Sequence, residues 1–211
     1  MKTPKSLFIS FEGIDGSGKS TQCMMLYHEL IDRGYSVYLY REPGGTSISE
    51  KIRDILLDKD NNNMSPITEM LLYFASRNQL ITEKVTPSLE KGQIVLLDRF
   101  VDSTIAYQGY GRDLPLEYIE KVAEVAIGSV RPDLTILVDT PLETAEVRMD
   151  DRELDRLEAE NSDFKERTRQ GYLKLAEAES ERFLVLDGRK SIEDLKNAII
   201  TRVDKELEID S

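Results

Sequence analysis

Gly13-Ile14-Asp15-Gly16-Ser17-Gly18-Lys19-Ser20 fits the pattern G-x-x-x-x-G-K-S, and Thr21 follows it. The apolar run at 7–11 precedes it and reads as a buried strand. After it, Cys23, Leu26, Tyr27, Leu30 and Ile31 recur at i, i+3, i+4, i+7 and i+8, which predicts one face of a helix. Strand, glycine-rich turn and helix in that order form the setting in which such a loop binds phosphate. The glycines let backbone N–H groups turn inward around phosphate oxygens, and the helix N-terminus adds partial positive charge. Lys19 is then placed to reach the β- and γ-phosphates of a nucleotide, and Ser20 to coordinate Mg²⁺.

Short apolar runs recur at 37–40, 94–97, 134–138 and 183–186, with helical patterns between them. Helices are expected at 47–57, 66–89, 115–128 and 162–178, and a last one carries Ile192, Leu195, Ile199 and Val203 on one face. Apolar strands alternating with helices predict a P-loop NTPase fold: three α/β/α layers around a five-stranded parallel sheet. No repeat, low-complexity tract or linker divides the 211 residues, so one domain over 1–211 is expected.

The chain carries 28 basic and 40 acidic residues, a net charge of −12, and 40% hydrophobic residues. That balance repels nucleic acid and anionic membrane and makes the placing of each arginine informative. One cysteine, Cys23, excludes an internal disulfide; it lies on the apolar helix face and reads as core. The lone His28 lies off that face and reads as solvent-facing. No run is long enough to span a bilayer, and the lysine-bearing start lacks a signal-peptide pattern, so a cytoplasmic protein is expected.

A phosphate loop alone does not separate kinases, GTPases and motors. No Asn-Lys-x-Asp guanine-reading motif is present. The third strand ends in Asp98-Arg99. An acid there can hold Mg²⁺ or its waters, and an arginine directly after it can grip the phosphate of an acceptor in a bidentate fork. That combination points to a nucleoside monophosphate kinase, with a P-loop regulator and a kinase for another base as the rival readings.

Four stretches carry a closer likeness: Phe11-Glu12-Gly13-Ile14-Asp15-Gly16, Arg41-Glu42-Pro43-Gly44-Gly45-Thr46, Tyr73-Phe74-Ala75-Ser76-Arg77, and 97–108, LDRFVDSTIAYQ. Together and in this order they resemble the thymidylate kinase family over about the whole chain. The resemblance implies ATP- and Mg²⁺-dependent phosphorylation of dTMP to dTDP in dTTP synthesis, and a homodimer formed through helices packed face to face. It implies that Gly13, Asp15, Gly16, Ser17, Gly18, Lys19, Ser20 and Thr21 bind ATP, with Ser20 and Asp98 at the metal. Arg99 would bind the dTMP phosphate beside Arg41, Pro43 and Arg53, with Ser103 in the same pocket. Asp15 would contact the sugar 3′-hydroxyl. Arg77, Thr104 and Gln108 would read the thymine edge, and Tyr107 would sit under the 2′ position. Tyr73, or its neighbour Phe74, would stack on thymine.

The family divides by where its catalytic arginine sits. Gly16 stands where one group has that arginine, so the resemblance assigns it to the flap over ATP, the LID at about 148–162. Arg148 would stack on adenine, and Arg152 or Arg156 would join Lys19, Arg99 and Asp15 in catalysis. Asp150, Asp151, Glu153 and Asp155 interleave with these arginines, so a salt-bridged solvated helix is the competing reading. Arg189 lines the adenine pocket or belongs to a plain strand–helix turn, and Arg112 is near the acceptor or merely exposed.

Overall fold

Strand β1 (Leu7–Glu12) is buried along its whole length, and its alternating side chains feed two cores. Leu7, Ile9 and Phe11 pack with Cys23, Leu26 and Leu30 of helix α1 (Lys19–Asp32) and with Leu195, Ile199 and Val203 of α9 (Ile192–Glu208). Phe8 faces the other way, into a core with Met70 and Phe74 of α3 (Pro66–Leu80) and Ile119, Ala123 and Ile127 of α6 (Leu116–Ile127). Strands β2 (Val37–Arg41), β3 (Ile94–Asp98), β4 (Leu134–Asp139) and β5 (Phe183–Asp187) complete the sheet. All pair in parallel, in the order β2-β3-β1-β4-β5. This is the expected three-layer α/β/α arrangement with a five-stranded parallel sheet. The structure, a computed structural model, describes residues 6–149 and 154–208. Among the described residues no helix is long and apolar enough to cross a membrane.

Register decides what meets at the strand ends. Asp98 is level with Phe11 on one side and Arg41 on the other. Backbone hydrogen bonds continue past the strands, from Glu42 N–H to the Asp98 carbonyl and from Arg99 N–H to the Phe11 carbonyl. The phosphate loop, the Arg41–Thr46 turn and Arg99 therefore leave the sheet side by side.

Local caps match the sequence. Ser65 accepts from Thr68 N–H with Pro66 in the first turn of α3, and Thr46 accepts from Ser49 N–H at the start of α2 (Ser47–Leu57). Gly34, at φ +85°, closes α1, with Tyr35 N–H reaching back to the Leu30 carbonyl.

The helix expected over 66–89 is not continuous. After α3 the chain widens into a π-helical segment, Ile81–Val85, in which Thr86 N–H bonds to the Ile81 carbonyl, and then resumes as α4 (Thr86–Glu90). Pro87 is the physical reason: it lacks an N–H, and its ring would collide with the carbonyl four residues earlier in an α-helix. Other elements were not expected. Val101–Thr104 forms α5 and runs into a second π-helical segment, Ile105–Gly111, where Ser103, Thr104, Gly109 and Gly111 mask the helical pattern. Leu142–Val147 forms α7. Helix α8 (Ser162–Ala178) packs Phe164, Tyr172 and Ala176 onto Tyr107 and Leu137 in a third core.

Candidate active site

The strand ends, Arg148, Met149, Asp155, Leu157 and Glu158 surround a cleft of about 510 Å³. The phosphate loop forms its floor. Gly18, at φ +94°, caps α1 in the left-handed region that only glycine adopts freely. Gly16 is at φ +78°, and a Cβ there would run into the Ala145 carbonyl of α7. Buried Lys19 holds its Nζ 3.5 Å from Asp15 Oδ1.

Ser20 Oγ donates to Asp98 Oδ2 at 2.5 Å. Asp98 Oδ1 is buried and has no hydrogen-bond partner. A hydroxyl and an orphaned carboxylate oxygen beside a phosphate loop fit a hard divalent cation or its waters. Among the described residues no group of three or more metal-ligating side chains occurs, so such an ion would take its other ligands from phosphate and water.

Arg99 is a non-glycine residue at φ +75°, a strained conformation held by its N–H bond to the Phe11 carbonyl. Nη1 donates to the Gly13 carbonyl, Ser103 Oγ and Tyr172 Oη at 3.0, 3.2 and 3.0 Å. Nη2 donates to Asp15 at 2.7 Å and to Tyr107 Oη at 3.0 Å. Tyr107 Oη donates to Asp15 Oδ2 at 2.9 Å. Arg99, Asp15, Tyr107 and Ser103 thus form one cluster in the cleft.

On the acceptor side, Arg41 and Arg53 both donate to the Pro43 carbonyl at 2.9 Å, which brings two guanidiniums together at the wall. Arg41 also pairs with Glu50 at 3.0 Å, so its structural and site-lining roles coexist. Tyr73 lines the cleft, whereas Phe74 is buried in the second core. One residue along a helix turns the side chain by about 100°, so Phe74 cannot share the face of Tyr73. Thr104, Tyr107 and Gln108 line the cleft, one helical turn apart. Arg77 does not: it is 1% exposed and lies behind the wall, donating to Glu42 at 2.6 Å, to Thr104 Oγ1 at 2.9 Å and to the Phe100 carbonyl at 3.0 Å. Burial raises the Glu42 carboxyl to about 7 against the pull of Arg77.

The flap arginines part company. Arg148 lines the cleft and bridges the phosphate loop to the Gly188 carbonyl, donating to Ser17 O at 3.2 Å and Gly188 O at 2.8 Å. Arg152 lies outside the described residues. Arg156 does not reach the cleft. It is buried, with Nη1 2.6 Å from Glu69 of α3 and Nε donating to the Leu56 carbonyl at 2.8 Å. Glu69 draws it there because a buried carboxylate demands a cation. Arg169 forks onto Asp139 and Arg167 caps the Tyr110 and Gly111 carbonyls, so both are spent structurally. Arg189 folds back onto Asp187 at 2.9 and 2.8 Å and stays exposed outside the cleft. Arg112, half-buried, pairs with Glu69 and Glu160.

Two supporting residues escaped the sequence reading. Glu12, fully buried, accepts from Phe100 N–H at 2.8 Å, Ser103 Oγ at 2.6 Å and Tyr172 Oη at 3.2 Å. Burial, together with the charge of Asp102, pushes its carboxyl up to about 7. Tyr172 reaches Arg99 from α8. An acid on a buried strand and a tyrosine on an apolar helix face both need polar partners, and that need was the available signal.

Comparison with known proteins gives one family. The family model described as "Thymidylate kinase" matches residues 11–199. The chain is 51% identical over 203 residues to a thymidylate kinase of Thermoanaerobacter sp. (strain X514), covering 96% of this chain and all of the relative. It is 46% identical over 200 residues to one of Caldanaerobacter subterraneus subsp. tengcongensis, covering 95% and 96%. Its structure resembles the crystal structure of thymidylate kinase from Ehrlichia chaffeensis, with a TM-score of 0.78 and 33% identity over 95% of this chain and 99% of that one.

Proposed function

The chain belongs to the thymidylate kinase family, and from that premise we propose that its cleft transfers the γ-phosphoryl group of ATP to the 5′-phosphate of dTMP, giving dTDP on the way to dTTP. The observation that carries this reading is the half-buried guanidinium of Arg99, set in the same cleft as the phosphate loop and joined to Asp15 of that loop. A cation there serves an anionic acceptor, which a nucleotide hydrolase does not need.

Backbone N–H groups of Gly13–Thr21 hold the ATP phosphates, and Lys19 neutralises the charge that develops between donor and acceptor. Arg148 lies against adenine. Arg99, Arg41 and Arg53 take the dTMP phosphate beside Pro43 and Ser103. Asp15 takes the 3′-hydroxyl, Tyr73 stacks on thymine, Thr104 and Gln108 read its edge, and Tyr107 occupies the space a 2′-hydroxyl would need. Ser20 and Asp98 would hold Mg²⁺ or its waters, and the ion would supply charge neutralisation on the phosphates. The chain's own contribution is positioning and electrostatics, with no covalent intermediate. Gly16 leaves no room for a side chain and Arg156 is tied to Glu69, which supports Arg152 as the catalytic flap arginine.

The chain acts as one domain with its LID at 148–162, in the cytoplasm, as a homodimer. Ile48 and Ile55 of α2, Ile67 and Leu71 of α3, and Tyr118 and Val125 of α6 are exposed apolar residues that support such a partner face. Sedimentation at twice the monomer mass is the expected result. The decisive assay for function is a panel of dTMP, dUMP, CMP, AMP and GMP with ATP and Mg²⁺. Preference for dTMP is expected; preference for a purine or cytidine monophosphate would overturn the reading.

A further inference from the structure

We infer that Glu69, which lies behind the cleft wall, is a specificity-determining positioning residue: it orients the Gln108 amide so that only a base with an N3–H donor is accepted. The inference rests on the reading of the cleft as a pyrimidine monophosphate site.

Gln108 lines the cleft, and its Nε2 donates to Glu69 Oε1 at 2.8 Å. An ionised carboxylate only accepts hydrogen bonds, so the amide must turn its NH₂ end toward Glu69. Glu69 is 1% exposed and held by three further donors: Arg112 Nε and Nη2 at 3.1 Å each, and Arg156 Nη1 at 2.6 Å. Burial alone would raise its carboxyl, but the hydrogen bonds from Arg112 and Gln108 and the charges of Arg112 and Arg156 hold it below its ordinary value. With Nε2 committed, Gln108 offers its carbonyl Oε1 to the cleft, and among the described residues no donor reaches that oxygen.

A fixed acceptor at the base pocket selects a donor. Thymine and uracil carry N3–H. Cytosine has a lone pair at N3, which meets the Gln108 oxygen acceptor to acceptor. Glu69 thereby imposes the choice between imide and amino pyrimidines from one layer behind the contact.

Glu69→Gln tests this with steady-state kinetics on dTMP, dUMP and dCMP at saturating ATP and Mg²⁺. In that variant Arg112 and Arg156 claim the new amide oxygen, its NH₂ faces Gln108, and the Gln108 amide turns over. The kcat/KM ratio of dTMP to dCMP is expected to fall by about tenfold. The ratio of dTMP to dUMP is expected to stay unchanged, because those bases differ only in the C5 methyl. A general loosening of the pocket moves both ratios and would overturn the inference, as would both staying at wild-type values. Arg156→Met keeps the Gln108–Glu69 bond and is expected to keep the dTMP to dCMP ratio whatever its turnover. A loss as large as that of Glu69→Gln would assign the effect to the ion pair instead. If Glu69→Gln melts below assay temperature, Glu69→Asp retains the charge, withdraws the carboxylate from Gln108, and is read by the same two ratios. A wild-type enzyme that does not prefer dTMP would fail the functional reading separately, before any variant is compared.

Discussion

Arg99 Nη2 meets Asp15 Oδ1 at 2.7 Å, so the arginine that follows β3 and the acid of the phosphate loop form one unit. Burial alone would raise the Asp15 carboxyl, but the charges of Arg99 and Lys19 and the hydrogen bond from Tyr107 hold it well below its ordinary range. The donor loop and the acceptor cation each stabilise the charge of the other.

Arg99→Ala removes one side of this pair and leaves Asp15 with Lys19 as its remaining cation. The expected result is a loss of about 100-fold or more in kcat/KM for dTMP and a stability cost of about 3 kcal/mol. Lys19→Ala is expected to lower kcat by a similar factor with a much smaller change in Tm. Dual substrate kinetics and thermal melts check both. Activity near wild type in the two variants would sink the assignment.

Tyr172→Phe deletes the hydroxyl that touches Arg99 at 3.0 Å, Ser103 at 2.7 Å and Glu12 at 3.2 Å. It is expected to cost about 1 kcal/mol of stability and to raise KM for dTMP by roughly threefold to tenfold. KM for ATP should stay put, which distinguishes a loosened acceptor arginine from a damaged fold.

Glu12 gives a pH signature. Its carboxyl lies near 7 in the folded chain against an ordinary value of 4.5, so folding takes up a proton between those limits. The stability it contributes is fully present below about 4.5 and is lost as the pH rises through about 7. Glu12→Gln takes up no such proton. The Tm of wild type minus that of Glu12→Gln is therefore expected to fall steadily from pH 4.5 to 7; a flat difference would contradict the raised value.

Gly16→Ala forces a Cβ into the left-handed region and against the Ala145 carbonyl. The expected cost is about 1–3 kcal/mol, accompanied by a raised KM for ATP because the loop must shift. Calorimetry and ATP titration with the protein at constant dTMP measure the two effects.

Much of this was legible because its chemistry is local. The glycine-lysine-serine spacing, the acid and arginine at the end of β3, and the alternating strand and helix periods each sit within a few residues. The choice between Tyr73 and Phe74 was also within reach, since Met70, Phe74 and Arg77 fall on one buried face of α3 and leave Tyr73 to the cleft. The fate of Arg156 was not legible. Its partner Glu69 lies in a distant helix, and nothing near Arg156 in the chain announces it. The π-helical segments were hidden for a different reason: a single widened turn leaves no repeating pattern to detect, and only Pro87 hinted at one of them.

The level register of Phe11, Asp98 and Arg41 on three adjacent strands has a further consequence. Neighbouring strands stand about 4.8 Å apart because backbone hydrogen bonds set that spacing. The phosphate loop, the acid beside it and the arginine at the acceptor wall each hang from one of those strands. The sheet therefore acts as a ruler: the span between giving and receiving groups is a multiple of the strand spacing, and side-chain motion does not stretch it. A substitution in the sheet interior that slipped one strand would carry its end along the strand axis by about 3.3 Å per residue, misplacing one nucleotide against the other while leaving every contact residue in the sequence intact.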